Sequence, residues 1–227
     1  MIIIGHRGAC GIKPENTLLS FKEALKYVRA IELDVYVCRT GELVVIHDDT
    51  VGRTTNGHGY VEEMTLEELK KLDAGNGEKI PTLKEVFALV NNQAIVNIEL
   101  KGKRTAAPVL DIINEHISKG WKKDNFSVSS FNFEELKEFF NLCPKIKIGL
   151  LIEDEGTDYM ALAKKLNAYS INPYFRIIND DFVKKVHEAR FKIFVWTVNT
   201  REDAQRLEQL GVDGIITNYP NIFKNKR

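Results

Sequence analysis

Seven residues have types and spacings that could do chemistry: His6, Arg7, Glu32, Asp34, His47, Glu99 and Lys101. Side chains alternate along a strand. Glu32 and Asp34 in Ile31-Glu32-Leu33-Asp34 therefore point to one face, as do Glu99 and Lys101 in Ile98-Glu99-Leu100-Lys101. In both runs the Ile and Leu face the other way. A carboxylate held away from water is costly unless it is paired or bound to metal. Glu32, Asp34 and Glu99 converging near strand ends would repel one another, and a divalent cation resolves the conflict. All-oxygen ligands suit a hard ion, Mg²⁺ or Ca²⁺, better than zinc.

Each signal also has a plainer reading. A lone Glu-x-Asp on a strand is usually a solvated sheet edge. Gly5-His6-Arg7-Gly8 also fits a tight turn, and Phe194-Val195-Trp196-Thr197-Val198 read alone is core, with Trp196 as packing. Three of the five histidines, His58, His116 and His187, fall in a loop or on helical faces and read as structural or solvated. What lifts the seven residues together is position, because all fall at the mouth end of the first three strands.

Those positions have meaning only if the strands exist. Short β-rich runs cover 2–4, 31–37, 43–46, 94–100, 125–129, 147–152, 169–172, 192–198 and 214–217. The 43–46 run reads as a continuation of the second strand, after Thr40-Gly41 turn chemistry. Helical periods lie between them at 17–29, 65–72, 82–91, 105–119, 133–142, 159–167, 180–190 and 201–210. Thr65 and Thr82 each precede a Glu by three residues, the signature of a capping box. Eight strands alternating with helices argue for a parallel sheet. An open doubly wound sheet loses support, since no GxGxxG follows the first strand and there is no Walker sequence.

The expected fold is therefore α/β, a (β/α)₈ TIM barrel forming a single domain over 1–227. The Gly-, Thr- and Asn-rich stretch 49–80 is expected as a small cap-like insertion after strand two. Active sites of such barrels lie at the carboxyl ends of the strands. The unusual polar residues fall there: His6-Arg7, His47-Asp48, Glu99 and Lys101, Ser129-Ser130, Asn172, Trp196 and Thr217-Asn218.

Bulk properties exclude several classes. At 227 residues and 44% hydrophobic the chain can bury a sizeable core. With 32 acidic and 32 basic residues the net charge is zero, which argues against nucleic acid as a partner. Cys10, Cys38 and Cys143 are widely spaced, so no disulfide framework is expected. The opening apolar run is too short for a signal peptide, and none nears the roughly 20 residues of a membrane span. The expectation is a cytoplasmic protein with no stable membrane insertion; the sequence leaves the oligomeric state open.

The chain resembles the glycerophosphodiester phosphodiesterases. The likeness runs from His6-Arg7-Gly8-Ala9 and Pro14-Glu15-Asn16-Thr17 through Ile31-Glu32-Leu33-Asp34-Val35 and His47-Asp48. It continues through Arg53-Thr54-Thr55-Asn56-Gly57, Asn97-Ile98-Glu99-Leu100-Lys101, Val195-Trp196-Thr197-Val198-Asn199 and Gly211 to Asn218. The resemblance implies a barrel with an insertion after strand two. It implies one divalent cation on Glu32, Asp34 and Glu99, and an acid-base pair in His6 and His47. Arg7 and Lys101 would meet the phosphate, Trp196 would lie against the glycerol, and Glu15 and Asn16 would play a supporting role. The implied reaction is hydrolysis of a glycerophosphodiester to glycerol 3-phosphate and an alcohol. Attack by the substrate's own 2-hydroxyl would pass through a cyclic phosphate; His6 is assigned as base and His47 as acid in the first step, with the reverse order open.

Three other readings predict different residues. A lysophospholipase D would use the same site with a larger leaving group and an apolar rim on the cap. A catalytically silent barrel serving as a binding module would lack a histidine or a metal carboxylate, and none is lacking. A zinc amidohydrolase would carry His-x-His on its first strand, where this chain has His6-Arg7.

Overall fold

The computed structural model describes residues 1–154, 156 and 158–223, so the expected domain end at 227 lies outside the described residues. β1 (Ile2–Gly5) leads through α1 (Leu18–Ala24) to β2 (Ala30–Val37) and β3 (Leu43–Val45). Then come α2 (Leu66–Lys71), α3 (Leu83–Val90), β4 (Ile95–Leu100), α4 (Ala106–Ser118), β5 (Phe126–Ser130) and α5 (Phe133–Leu142). The chain continues with β6 (Lys147–Ile152), α6 (Tyr159–Lys165), β7 (Ser170–Pro173) and α7 (Asp180–Glu188). It ends on β8 (Lys192–Val195), α8 (Arg201–Leu210) and β9 (Gly214–Thr217).

Around the sheet the order is β1-β9-β8-β7-β6-β5-β4-β2, all parallel, and Gly5 of β1 lies opposite Ile31 of β2 to close the ring. This is the expected eight-stranded barrel. One strand departs from expectation. β3 does not continue β2 but turns back antiparallel to it, Val45 opposite Val35, through a turn in which Gly41 takes a φ of +98°. Only glycine adopts that conformation without strain. The turn aims the residues after β3, His47 and Asp48, back over the barrel mouth.

Buried on both faces, the barrel strands read as near-continuous apolar runs. Ile31, Leu33 and Ile98 are fully buried beneath the helices, in one core with Phe21, Phe87, Phe126 and Phe139. Each such side chain contributes about 1.5–3 kcal/mol on burial, enough to fix the register that turns Glu32, Asp34 and Glu99 inward. Val44, Ile46, Val51, Val61, Leu69 and Ile80 form a second, smaller core beneath the 49–80 stretch. Both expected capping boxes form, Thr65 with Glu68 and Thr82 with Glu85.

Two boundaries shift by three residues or more. α1 ends at Ala24 and not at 29, because the chain tightens into turns (Lys26 N–H to Glu23 O, Tyr27 N–H to Ala24 O) to enter β2. β8 ends at Val195, and Trp196 carries its pairing with the β7 side one step further as an isolated parallel bridge to Tyr174, donating its backbone N–H to Pro173 O. All three cysteines are free thiols.

Candidate active site

The site begins where β1 runs out. His6 donates its backbone N–H to Thr217 O, and Arg7 then takes a left-handed φ of 48°. That conformation costs a non-glycine residue about 1–2 kcal/mol. Local bonds hold it: Arg7 N–H donates to Glu32 Oε2 at 2.9 Å, and Ser20 Oγ donates to Arg7 O at 2.8 Å. A side chain on Gly8, the next residue, would sit 2.6 Å from Ser20 Oγ, so this close approach requires glycine. The Arg7 guanidinium donates from Nη1 to Glu15 Oε1 at 2.8 Å, and its Nε lies 3.4 Å from Asp34 Oδ2. Asn16, buried, donates its amide to the same Asp34 oxygen at 2.9 Å.

The β2–β4 register sets Asp34 beside Glu99. Glu32, Asp34 and Glu99 are all buried, and one carboxylate oxygen from each lies within 4.8 Å of the others. Glu32 Oε1 and Asp34 Oδ1 have no hydrogen-bond partner among the described residues, while Glu99 Oε1 lies 3.1 Å from Lys101 Nζ. Burial, and then the charges of Asp34 and Glu99, push the Glu32 carboxyl well above the usual carboxylate range. Burial and the Asp34 charge push Glu99 up to about 7. Buried oxygens without partners, mutually repelling and all hard donors, are what a Mg²⁺- or Ca²⁺-sized cation fits.

Both histidine rings are fixed through Nδ1. His6 Nδ1 lies 2.6 Å from Asn218 Oδ1, which also accepts the Cys10 thiol at 3.0 Å. His6 Nε2 is left facing the carboxylates, 3.9 Å from Glu32 Oε2. Burial, with the Arg7 charge alongside, lowers its pKa to about 4, so the ring is neutral near pH 7. His47 Nδ1 lies 2.6 Å from Asp48 Oδ1. The Arg53 hydrogen bonds hold the Asp48 carboxyl far below the usual range, so Asp48 accepts as an anion.

His6, Arg7, Glu32, His47, Glu99, Lys101 and Trp196 line one cleft of about 450 Å³ at the carboxyl ends of the strands. Trp196 stands at its wall, its indole N–H donating to Asn172 O at 2.8 Å and its ring meeting Phe131 at 5.4 Å. Glu15, Asn16 and Asp34 stand behind the lining and hold it. A cavity at the opposite end of the barrel, among Ile2, Ile4, Tyr169 and Phe194, brings no carboxylate cluster together with a histidine. His116 is a core residue, buried edge-on against Phe87 with Nδ1 bonded to Ile112 O.

Three residues of the site received no role from the sequence: Asp48, Arg53 and Asn218. Asp48 adjoins His47, and the pairing of a histidine with a neighbouring carboxylate was open to notice. Asn218 carries no such signal, since it meets His6 only because β9 closes against β1.

A profile of the glycerophosphoryl diester phosphodiesterase family matches residues 6–222. The chain belongs to this family. Its sequence is 41% identical to the glycerophosphodiester phosphodiesterase of Caldanaerobacter subterraneus subsp. tengcongensis, over 99% of this chain and 96% of that one. A glycerophosphodiester phosphodiesterase of Bacillus subtilis is 32% identical, over 98% of this chain and 85% of that one. Among solved structures, a phosphodiesterase of Oleispira antarctica, in complex with the product sn-glycerol-3-phosphate, superposes with a TM-score of 0.92. That enzyme is 29% identical, with 98% of this chain and 94% of the other covered. The glycerophosphodiester phosphodiesterase of Thermotoga maritima gives 0.82 at 33% identity, covering 98% of this chain and 96% of that one. Family membership makes the chain an enzyme, a glycerophosphodiester phosphodiesterase by class. No helix among the described residues is long and apolar enough to cross a membrane.

Proposed function

We infer that this chain hydrolyses glycerophosphodiesters to glycerol 3-phosphate and an alcohol, with one divalent cation held by Glu32, Asp34 and Glu99. The observation that carries the reading is the pairing of that unpartnered carboxylate cluster with two histidines whose Nδ1 atoms are both engaged. A cation bound there supplies positive charge and Lewis acidity to an anionic phosphodiester. Arg7 and Lys101 add their charges to the phosphoryl oxygens, and Glu15 keeps the Arg7 guanidinium aimed at them. Trp196 offers its face to the glycerol carbons.

His6 is the base. Its Nδ1–H is committed to Asn218, which leaves the Nε2 lone pair to take the proton of the glycerol 2-hydroxyl. That oxygen attacks phosphorus, the bond to the alcohol breaks, and a cyclic phosphate forms. His47, with Nδ1–H given to Asp48, donates from Nε2 to the departing alkoxide. Water then opens the ring with the two roles exchanged.

We read the chain as one barrel domain, with 49–80 as a cap beside the mouth. The small core beneath that stretch and its contacts with Glu15 and Asp48 through Arg53 support this. The test is release of glycerol 3-phosphate from a panel of glycerophosphodiesters and a lysophospholipid, in Mg²⁺, in Ca²⁺ and in EDTA. Cation-dependent release from the water-soluble diesters is expected. Full activity in chelator would remove the cation from the scheme, and preference for the lysophospholipid would replace the substrate class.

A further inference from the structure

One side chain of the 49–80 stretch reaches both halves of the site. Arg53 presents two edges of its guanidinium to two different carboxylates. The Nη1 and Nη2 edge holds Glu15, Nη1 to Oε2 and Nη2 to Oε1, both at 2.8 Å. The Nε and Nη2 edge holds Asp48, at 2.5 Å to Oδ2 and 3.0 Å to Oδ1. Glu15 in turn accepts from Arg7, and Asp48 from His47. The two held groups differ in what else secures them. Glu15 keeps its bond to Arg7 if Arg53 is removed, whereas Asp48 has no other side-chain partner among the described residues besides His47.

The backbone that launches Arg53 is itself built. Val51 is fully buried in the small core, and its carbonyl accepts both the N–H and the hydroxyl of Thr55. Asn56 exchanges hydrogen bonds with Asp73, and a side chain on Gly57 would lie 2.6 Å from Leu72. Arg53 is nonetheless 47% exposed. The two carboxylates it holds are the ones bonded to Arg7 and to His47, so the double fork links the cap stretch to both of those site residues.

We propose that Arg53 is a positioning residue for catalysis: it clamps Asp48 so that the His47 ring is held in one orientation, with Nδ1–H on Asp48 and Nε2 directed into the cleft. The cap stretch is thereby tied to the proton donor, and a lysine could not replace Arg53, since a point charge cannot hold two carboxylates by two edges. The inference rests on the reading of His47 as the acid.

The test is kinetic and spectroscopic on the cation-loaded enzyme. Arg53→Ala is expected to lose roughly tenfold to a hundredfold in kcat, the usual cost of losing a group that orients a functional histidine. KM and thermal stability should change little, because Arg7 keeps Glu15. Arg53→Lys should recover only part of the loss, and millimolar guanidinium ion should restore activity to Arg53→Ala. The ¹⁵N signals of the His47 ring should show Nδ1 protonated in both the imidazolium and the neutral ring of the wild type, and a mixture of neutral tautomers in Arg53→Ala. Should Arg53→Ala fail to fold, the nearly isosteric Asp48→Asn should give the same kcat loss. If Arg53→Ala keeps wild-type kcat while His47→Ala is disabled, or leaves the His47 tautomer unchanged, the clamp is wrong. A fully active His47→Ala would instead overturn the assignment of the acid, a different failure.

Discussion

Each ring in the proposed acid-base pair has one nitrogen occupied: His6 through Asn218 and His47 through Asp48. Only Nε2 is free for a substrate proton, so neither ring has a second atom to substitute for the first. His6→Ala and His47→Ala should each lower kcat about 10²-fold or more with the fold intact, the scale of lost acid-base catalysis. His58→Ala, on an exposed loop, should match wild type in a steady-state assay. His116→Ala should differ in kind. Its ring is buried against Phe87 and Trp121, so removal should cost about 1–3 kcal/mol of stability and leave kcat of the folded enzyme unchanged. Equal kcat losses for His116 and His47 variants would displace the site. The substrate supplies the other residue-scale test. If its 2-hydroxyl is the nucleophile, a 2-deoxy glycerophosphodiester should bind and inhibit without turning over, whereas direct attack by water would cleave both at similar rates. Much of this was legible because strand periodicity alone placed Glu32, Asp34, Glu99 and Lys101. Asn218 could be placed at the end of the last strand but not against His6, since that partner lies 212 residues away and local pattern carries no information about the pairing.

At the scale of elements, local chemistry was readable wherever an end is capped from within its own segment. Thr65, Thr82, Asn132 and Thr200 all accept backbone N–H groups of the helices they precede. α4 is different. Thr105 stands at its start but makes no side-chain cap. The buried carboxylate of Glu135, on α5, accepts the N–H groups of Arg104, Thr105 and Ala106 together with the Thr105 hydroxyl. A negative charge there also meets the positive end of the helix dipole. Glu135→Ala should therefore lose about 2 kcal/mol, from a lost cap and stranded buried donors. In urea titration the midpoint should fall with the m-value unchanged. An unchanged midpoint would mean that α4 does not depend on this contact. The same change should leave kcat alone, as Glu135 lies outside the cleft. β3 teaches the converse lesson about legibility. Its apolar run announced a strand, yet only pairing could show that it runs against β2 and not onward from it.

For the whole molecule, the barrel turns three acidic side chains into a space that its own closure dries, so stability and cation binding become one question. Folded and free of cation, Glu99 titrates at about 7, and Glu32 well above 4.5, chiefly because burial disfavours their charged forms. In the unfolded chain both should ionise at the ordinary value. A carboxyl with a raised folded pKa contributes stability that is present below the unfolded pKa and lost as pH rises through the folded one. His6 works in the opposite sense. Burial depresses it from 6.5 to about 4, so its contribution improves with rising pH over that interval and is flat above it. Glu15 and Asp48, held low by Arg53 and their other partners against the cost of burial, act only in more acid solution. Of the shifted groups His6, Glu15, Asp48, Glu32 and Glu99, only the two cluster carboxyls thus still change stability above about pH 6.5. Chelator-treated protein should lose thermal stability from pH 6.5 to 8, the interval spanning the Glu99 value of about 7. Added Mg²⁺ or Ca²⁺ should restore it, with a shift in Tm that grows across the same interval, because the ion takes the place of protons the site would otherwise hold. Glu99→Gln removes one titrating charge, so it should flatten the pH dependence of the cation-free protein and shrink the cation's effect. A Tm shift of equal size at pH 6.5 and pH 8 would show that the cation binds elsewhere, or that these carboxylates are ionised without it.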